Sequence, residues 1–146
     1  MSYKFYGHEN SKILKNNSEY KGISTTLELY DLLNDIWCEY SCAPRLRKDW
    51  SLENKTVGQC STTAFLVQDI FGGKVYGIPL EDGSFHCYNV VDGYVFDLTS
   101  EQFGNKKLEY KLENEQFRED HFKNEEKYLR YKYLCDELKK KLAKNI

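Results

Sequence analysis

The sequence predicts an α+β domain in which a buried central helix packs on an antiparallel sheet of three or more strands. The helix is predicted by the apolar-rich segment Cys60–Phe71, which is followed by Gly72–Gly73, a pair that favours helix termination. The sheet is predicted by short runs of β-branched and aromatic residues after the helix, with Asp92–Gly93 between two of them. We expect one helix before this unit and another after it.

Apolar residues make up 40% and charged residues 30% of the 146-residue chain, a composition typical of one globular domain. We assign residues 24–146 to that domain and residues 1–23 to a polar N-terminal extension. The formal net charge of −2 predicts no bulk attraction to nucleic acid or to an acidic membrane. No apolar run approaches the roughly 20 residues that a membrane span requires. Neither nucleic acid nor a membrane is therefore an expected partner.

The five cysteines are odd in number and irregularly spaced, and the N-terminus carries no apolar segment typical of a signal peptide. We therefore expect reduced thiols and a cytoplasmic protein. The sequence contains no Cys-x-x-Cys pair and no His-Glu-x-x-His motif, so no metal site is expected. It also lacks a phosphate-binding glycine loop and a dinucleotide fingerprint, so no cofactor is expected.

The N-terminal part of the domain is predicted to contain one helix and a long loop. Residues 1–23 are expected to have little structure of their own beyond packing a few aromatic rings. Thr25 and Glu28 have capping-box spacing, and apolar residues then recur at helical intervals, which predicts a helix from about Thr26 to about Tyr40.

The irregular segment 41–59 is long for a loop in a small domain, and loops of this length are often functional or lid-like. We interpret Leu46 in this loop as a core side chain. For Trp50 two interpretations stay open: it fills the core, or it lines a cleft, as Arg47 also could.

The predicted strands cover Lys74–Pro79, Ser84–Val91 and Tyr94–Thr99. Pro79 places the first strand at a sheet edge or marks its end. From about Asn114 onward, apolar residues at helical spacing in a highly charged background predict the C-terminal helix. Its basic triplet Lys139–Lys141 fits the end of a helix dipole and a solvated face better than nucleic-acid binding.

Two residues of chemical interest share one face of the predicted hairpin. If Asp92–Gly93 is a two-residue turn, Tyr88 lies opposite Asp97. Side chains alternate along each strand, so His86 then lies on the same face as Asp97, diagonally across at ~7–8 Å. A slip of one residue would place the two on opposite faces.

Cys60 supplies a candidate nucleophile, because a thiolate at a helix N-terminus is stabilised by the helix dipole and free amide groups. We expect Cys60 to attack, His86 to carry the proton and Asp97 to hold the imidazole. The main-chain amide of Cys60 is a candidate oxyanion donor. Gln59 and Asn89 fit equally well as oxyanion or orienting groups and as a helix cap and a cross-strand contact.

A structural interpretation stands beside this one, because free cysteines are commonly buried without a chemical role. Cys38, Cys87 and Cys135 fit that interpretation, since each lies in a predicted helix or strand, whereas Cys42 lies in the loop. The remaining histidines, His8 and His121, lie in polar surroundings and are expected to be solvated.

Three stretches resemble the transglutaminase-like superfamily of cysteine enzymes: Gly58–Cys60 before an apolar helix, His86–Asn89, and Gly93–Thr99. The resemblance implies a papain-like architecture and an enzyme that transfers acyl groups or hydrolyses amides. Such enzymes usually carry Trp after the cysteine and after the histidine. Here Ser61 follows the cysteine, and Tyr88 follows the histidine after one intervening residue, which argues against protein cross-linking.

From about Leu27 onward the chain is also similar to the bacterial YunG-like family. This similarity is carried by Cys42–Arg47 with Trp50, Gly58–Asp69, His86–Asn89, Asp97–Phe103 and Arg130–Leu134. Residues 1–23 lie outside it.

The sequence thus favours a cysteine-nucleophile hydrolase or acyltransferase that acts on an amide or thioester carbonyl through Cys60, His86 and Asp97. Its substrate would be an unidentified peptide, amide or small molecule, with Trp50 and Tyr88 as further contact candidates. Two alternatives stay open. The chain is a binding protein that keeps the triad as a remnant, or it is a thiol-redox sensor in which Cys42 or Cys87 approaches Cys60.

Overall fold

A computed structural model describes residues 3–16 and 18–144, and it has the predicted α+β architecture with a three-stranded antiparallel sheet in the order β1-β2-β3. The strands are β1 (Lys74–Pro79), β2 (Phe85–Val91) and β3 (Tyr94–Phe96). The α-helices of the described residues are α1 (Thr26–Asn34), α2 (Cys60–Phe71), α3 (Arg118–His121) and α4 (Glu125–Lys144). Short 3₁₀ helices include Pro44–Asp49 and Ser100–Phe103.

The helix α2 is the centre of the molecule, as the sequence predicts. It packs against β2 on one side and α4 on the other, and most of its side chains are buried. Two side-chain hydrogen bonds fix it in place. Asn89 Nδ2 on β2 donates to the Ala64 carbonyl at 2.8 Å, and Trp37 Nε1 donates to Thr63 Oγ1 at 3.0 Å. Gly72, with φ of 80°, ends the helix.

The hairpin has the predicted register. Asp92 and Gly93 both have positive φ, at 52° and 82°, as a two-residue hairpin turn requires. Val91 pairs with Tyr94, and the two pairs before it continue the ladder to Phe96. The strand β3 ends there rather than at Thr99, because the Asp97 amide donates to the Tyr6 carbonyl at 2.9 Å instead of continuing the hairpin.

The first helix has the predicted capping box but ends earlier than Tyr40. The Glu28 amide donates to Thr25 Oγ1 at 3.2 Å, and the Thr25 amide donates to Glu28 Oε1 at 3.0 Å. At the other end, the amides of Ile36 and Trp37 both donate to the Leu33 carbonyl, at 2.9 and 2.8 Å. The helix ends at this shared carbonyl, and the chain turns so that Trp37 contacts α2.

The C-terminal helix starts later than the predicted Asn114. Asn114 has a φ of 58°, and the Gln116 amide donates to the Val75 carbonyl at 2.8 Å, so this stretch runs beside β1. The helix α4 begins at Glu125, where Asn124 Oδ1 accepts a hydrogen bond of 3.1 Å from the Lys127 amide. Asparagine is a favoured N-cap residue, so Asn124 sets the start of the helix.

The N-terminal segment contributes to the core. Its buried apolar side chains are at most 4% exposed and comprise Phe5, Leu14, Tyr20 and Ile23. These side chains join the cluster formed by α1, α2 and α4. Within the described residues, no helix combines the length and apolar character that crossing a membrane would require.

Candidate active site

Cys60 is the first residue of α2, and Gly58 allows the chain to enter the helix at this point. Gly58 has a φ of 71°, and a Cβ atom on it would lie 2.5 Å from Cys42 Sγ and 2.8 Å from the Ala43 nitrogen. Its carbonyl accepts a hydrogen bond of 3.0 Å from the Ala43 amide. Glycine is therefore required here, because the loop at Ala43 lies directly against the entry to α2.

The structure brings His86 and Asp97 together across the hairpin. Nε2 of His86 lies 2.7 Å from Oδ2 of Asp97, and each side chain is 1% exposed. This bond leaves Nδ1 as the ring nitrogen available to Cys60. Nδ1 is buried and makes no hydrogen bond of standard geometry with the described residues. The ring packs edge-on against Phe103, with 4.7 Å between ring centroids.

Asp97 is held by donors on both of its oxygens. Oδ2 also accepts a hydrogen bond of 2.7 Å from the Tyr110 hydroxyl. Oδ1 accepts weaker bonds of 3.3 and 3.4 Å from the amide and hydroxyl of Thr99. These donors fix the orientation of the carboxylate. Tyr110 is thus a member of the site that sequence reasoning missed, since it lies in an irregular stretch without any motif.

The thiol of Cys60 lies next to three groups of β2. Sγ is 4.0 Å from the Phe85 carbonyl oxygen, and it interacts with the thiol of Cys87 and the ring of His86. The pKa of Cys60 is held well below its ordinary value, chiefly by hydrogen bonding with Cys87. Burial would raise this pKa, but the hydrogen bonding and charge of His86 also lower it. The hydrogen bond with Cys60, with burial, raises the pKa of Cys87 well above its ordinary value.

The imidazole of His86 is correspondingly a stronger base than usual. Burial on its own would lower its pKa, but the charge and hydrogen bond of Asp97, followed by those of Cys60, outweigh burial. The pKa of His86 is thereby raised from 6.5 to about 10. A lowered thiol pKa and a raised imidazole pKa both favour transfer of the proton from Cys60 to His86, which would give a thiolate–imidazolium pair.

Cys60 opens into a cavity of about 1080 Å³. Phe85, His86 and Phe103 form part of its wall, and Pro44 and Leu46 of the long loop form another part. Leu46 is therefore half-buried at the cavity, rather than the core residue that we predicted, because the 3₁₀ helix Pro44–Asp49 lies over the entrance to α2.

The cavity also exposes amide donors. Cys60 and Ser61 both line it and occupy the first turn of α2, where main-chain amides have no acceptor within the helix. The first intrahelical bond is made by Thr63, whose amide donates to the Gln59 carbonyl at 3.1 Å. The amides of Cys60 and Ser61 are therefore the donors that a developing oxyanion beside Sγ could use.

His121 at the end of α3 and Lys127 in the first turn of α4 complete the cavity wall. Nδ1 of His121 lies 3.0 Å from Lys127 Nζ, and Nε2 lies 2.9 Å from Gln116 Oε1. All three residues line the cavity. The prediction that His121 is solvated was wrong, because its ring packs edge-on against Phe65 of α2 at 5.1 Å.

The other candidate contact residues have hydrogen bonds elsewhere. Gln59 Nε2 donates to the Cys38 carbonyl at 3.1 Å, and Trp50 Nε1 donates to the Lys55 carbonyl at 2.9 Å. Tyr88 is 1% exposed and its hydroxyl donates to the Lys111 carbonyl. Asn89 bonds to α2, as described above. None of these four side chains is among the described residues that line the cavity.

The sequence leaves open whether Arg47 lines a cleft and whether Cys42 or Cys87 approaches Cys60. Arg47 donates to the carbonyls of Glu39, Tyr40 and Cys42, and these hydrogen bonds stabilise the conformation of the loop. Cys87 is the cysteine that approaches Cys60.

Among the described residues, no group of three or more His, Cys, Asp or Glu side chains is arranged to hold a metal ion.

Comparison with known proteins gives a family but no described activity. The model of the YunG protein family matches residues 25–143. The chain is also 38% identical over 72 residues to the uncharacterized protein YunG of Bacillus subtilis (strain 168). That alignment covers 49% of this chain and 57% of the Bacillus protein, so the match spans little more than half of the relative's length. No solved structure matches the chain.

Proposed function

The chain belongs to the YunG family, and with that premise we propose that it is an enzyme that uses Cys60 to attack an amide or thioester carbonyl. The observation that carries the proposal is the arrangement of Cys60 and His86 in the wall of one cavity, with the His86 ring held by Asp97 at 2.7 Å and its Nδ1 left without a partner among the described residues. A nucleophile, a proton carrier and an orienting group together are the parts of a cysteine-nucleophile site.

In the first step the Cys60 thiolate attacks the carbonyl carbon, a C–S bond forms and the carbonyl electrons move to oxygen. The amides of Cys60 and Ser61 stabilise that oxygen. The proton on His86 Nδ1 then passes to the leaving amine or thiolate as its bond to carbon breaks, which leaves an acyl-enzyme. Asp97 keeps Nε2 protonated and the ring in place throughout.

In the second step the neutral His86 removes a proton from water or from an acceptor nucleophile. The nucleophile attacks the acyl-enzyme, the C–S bond breaks, and the thiolate–imidazolium pair is restored. We propose hydrolysis or a small acyl transfer rather than protein cross-linking, since Ser61 and Tyr88 replace the tryptophans of cross-linking enzymes. The order of a cysteine on a helix followed by His and Asp on a hairpin supports a papain-like, transglutaminase-like relationship.

We also propose that the enzyme works in a reducing compartment such as the bacterial cytoplasm. The five cysteines are all free thiols, and the proposed nucleophile must stay reduced to act.

The proposal is tested by the reactivity of Cys60. Wild type is treated at pH 7 with limiting iodoacetamide, and labelled cysteines are identified by peptide mass spectrometry. We expect Cys60 to react at least tenfold faster than an ordinary thiol, because an unperturbed thiol is only a few per cent thiolate at this pH. The reference for an ordinary thiol is free glutathione, because hydrogen bonds with Tyr133 and Ser41 outweigh burial and lower the pKa of Cys38, the other half-buried cysteine. A Cys60 that reacts no faster than glutathione would refute an activated thiol.

Acyl transfer itself is tested with a panel of thioester and activated amide probes. Wild type should gain the mass of the acyl group on Cys60, and the variants Cys60→Ala and His86→Gln should not. Cys38→Ala is the matched control and should acylate like wild type. A reactive Cys60 that no acyl probe modifies would favour the binding-protein alternative.

A second candidate function rests on the position of Cys87, which lies two residues after Phe85 on β2, beside the Cys60 thiol. If a peroxide oxidises Cys60 to a sulfenic acid, the Cys87 thiol can attack the sulfur, form a disulfide and release water. Non-reducing mass spectrometry after peroxide treatment should then find the Cys60–Cys87 disulfide. A sulfenic or sulfinic acid on Cys60 with Cys87 still reduced would exclude this function.

A further inference from the structure

Lys127 is an unusual cation in the cavity that contains Cys60. It lines the cavity and is half-buried, and within the described residues no carboxylate lies at ion-pair distance from its Nζ. The arginines of the cavity differ in this respect. Arg130 pairs with Glu126 at 2.7 Å, and Arg45 pairs with Asp82 at 3.0 Å.

The position of Lys127 is electrostatically unfavourable. It lies in the first turn of α4, where the helix dipole is positive and disfavours a cation. Burial lowers its pKa, and Arg130 acts in the same direction. The groups that oppose these effects are the side chains of Cys87, Cys60 and Glu126. A cation kept against burial and a helix dipole is a candidate for function rather than for stability.

The neighbours of Lys127 hold it in one orientation. A lysine ammonium has donors only, so Nζ donates to His121 Nδ1 at 3.0 Å. Nε2 of His121 must then carry the ring proton and donate to Gln116 Oε1 at 2.9 Å. One of the three ammonium hydrogens is used in this chain, and the other two remain for a ligand in the cavity.

We propose that Lys127, oriented by His121 and Gln116, binds a carboxylate of the substrate beside the carbonyl group that Cys60 attacks. The inference rests on the proposed function and adds the substrate class: an amide or thioester whose acyl part carries a carboxylate close to the reacting carbon. The ammonium is a compact charge with two donors left, and a carboxylate supplies both the opposite charge and the acceptors. Binding would give the half-buried Lys127 ammonium an anionic partner, which it lacks at ion-pair distance among the described residues.

Two small reagents test this without knowledge of the substrate. Iodoacetate and iodoacetamide both react when the thiolate attacks their CH₂ carbon, a C–S bond forms and iodide leaves with its electron pair. They differ in that iodoacetate carries a carboxylate next to the reacting carbon. The second-order rate constant of Cys60 is measured with each at constant pH and at an ionic strength of about 0.15 M, where distant charges are largely screened.

The variant Lys127→Gln should lower the ratio of the iodoacetate rate to the iodoacetamide rate by about five- to tenfold, as expected for one partly buried charge pair. The matched control is Lys123→Gln, which removes the same charge from an exposed lysine that pairs with Asp120 at 3.6 Å. The control should leave the ratio within about twofold of wild type, since an exposed charge is screened.

The outcomes separate this inference from the function on which it rests. An unchanged ratio in Lys127→Gln, with Cys60 still reactive, overturns the inference and leaves the proposed function intact. An equal fall of both rates also overturns it, because Lys127 would then act on the thiolate and not on the ligand. A wild-type Cys60 that is unreactive even with iodoacetamide overturns both.

A measurement on wild type alone covers the case in which the variant does not fold. Acetate should slow the alkylation of Cys60 by iodoacetamide in a saturable manner, whereas acetamide, and chloride at the same ionic strength, should not. Absence of protection by acetate would count against a carboxylate site as firmly as an unchanged ratio.

Discussion

The Tyr110 hydroxyl and Nε2 of His86 share one acceptor, Oδ2 of Asp97, each at 2.7 Å. The stretch that contains Tyr110 follows the hairpin in the chain, so a residue outside the sheet fixes the carboxylate that orients the imidazole. The ring of Tyr110 is itself held by Tyr6, with 4.1 Å between centroids, and by Tyr88, with 4.9 Å. The site therefore depends on the N-terminal segment as well as on the sheet.

The first prediction concerns the Tyr110 hydroxyl. Tyr110→Phe keeps the ring contacts but removes a hydrogen bond to a charged acceptor, so we expect the free energy of unfolding to fall by about 1.5–3 kcal/mol. Urea denaturation measures this change. Tyr94→Phe is the control, since Tyr94 is 41% exposed and its loss should cost no more than about 0.5 kcal/mol. Equal effects of the two variants would contradict a special role for Tyr110.

The second prediction concerns the charge of Asp97. Asp97→Asn removes the largest effect that opposes the burial of His86, so the pKa of His86 should fall and its charge should support the Cys60 thiolate less. The rise of the iodoacetamide rate with pH should therefore move to higher pH. At pH 7 the rate should fall about tenfold or more, because an ordinary thiol is only a few per cent ionised there.

The pH–rate profile distinguishes this effect from a general disturbance of the fold. A profile of unchanged midpoint with a lower plateau would mean that Asp97 does not act through the thiolate–imidazolium pair. Circular dichroism of the variant at each pH is the control for folding.

The third prediction is a pH dependence of stability. The pKa of His86 is raised in the folded state to about 10 from 6.5, so its contribution is fully present below pH 6.5 and is lost as pH rises towards 10. The free energy of unfolding is compared between Cys60→Ala and Cys60→Ala with His86→Gln, so that the thiol of residue 60 does not titrate. Both variants lack the Cys60 thiolate, which helps to raise the pKa of His86. The contribution of His86 to stability should therefore be lost at a pH below 10. A difference that stays constant across this range would contradict a charged His86 in the folded protein.

The hairpin part of the site could be predicted from the sequence because its geometry is local. The Asp92–Gly93 turn fixes the strand register, and the two-residue period of a strand then places His86 and Asp97 on one face. The start of α2 at Cys60 could be predicted from composition and from the glycines that end the helix. Family similarity pointed to the same residues.

The rest of the site depends on contacts between segments that are distant in the sequence. Tyr110 lies in an irregular stretch, and nothing in its neighbours indicates that it reaches Asp97. The sequence predicts one continuous helix that would contain both His121 and Lys127. In the structure a turn separates α3 from α4, and both side chains line the cavity. Leu46 was assigned to the core because an apolar residue that lines a cavity has the same sequence signature as one that fills the interior.

The fourth prediction concerns the glycine before the nucleophile. Gly58→Ala places a Cβ atom 2.5 Å from Cys42 Sγ and 2.8 Å from the Ala43 nitrogen, at a φ of 71° that alanine disfavours. We expect a loss of about 2–5 kcal/mol in the free energy of unfolding, because backbone strain of roughly 1–2 kcal/mol adds to an overpacking cost of about 1–3 kcal/mol. The loop at Ala43 should also shift, so the iodoacetamide rate of Cys60 should change.

Gly83→Ala is the matched control for the conformational part of this effect. Gly83 has a φ of 88°, but a Cβ atom on it would meet nothing within 4 Å. Its substitution should cost only the backbone strain of roughly 1–2 kcal/mol and leave the reactivity of Cys60 unchanged. If both alanine variants lose the same stability in urea and Cys60 alkylates at the wild-type rate in each, the close contact at Gly58 does not position the nucleophile.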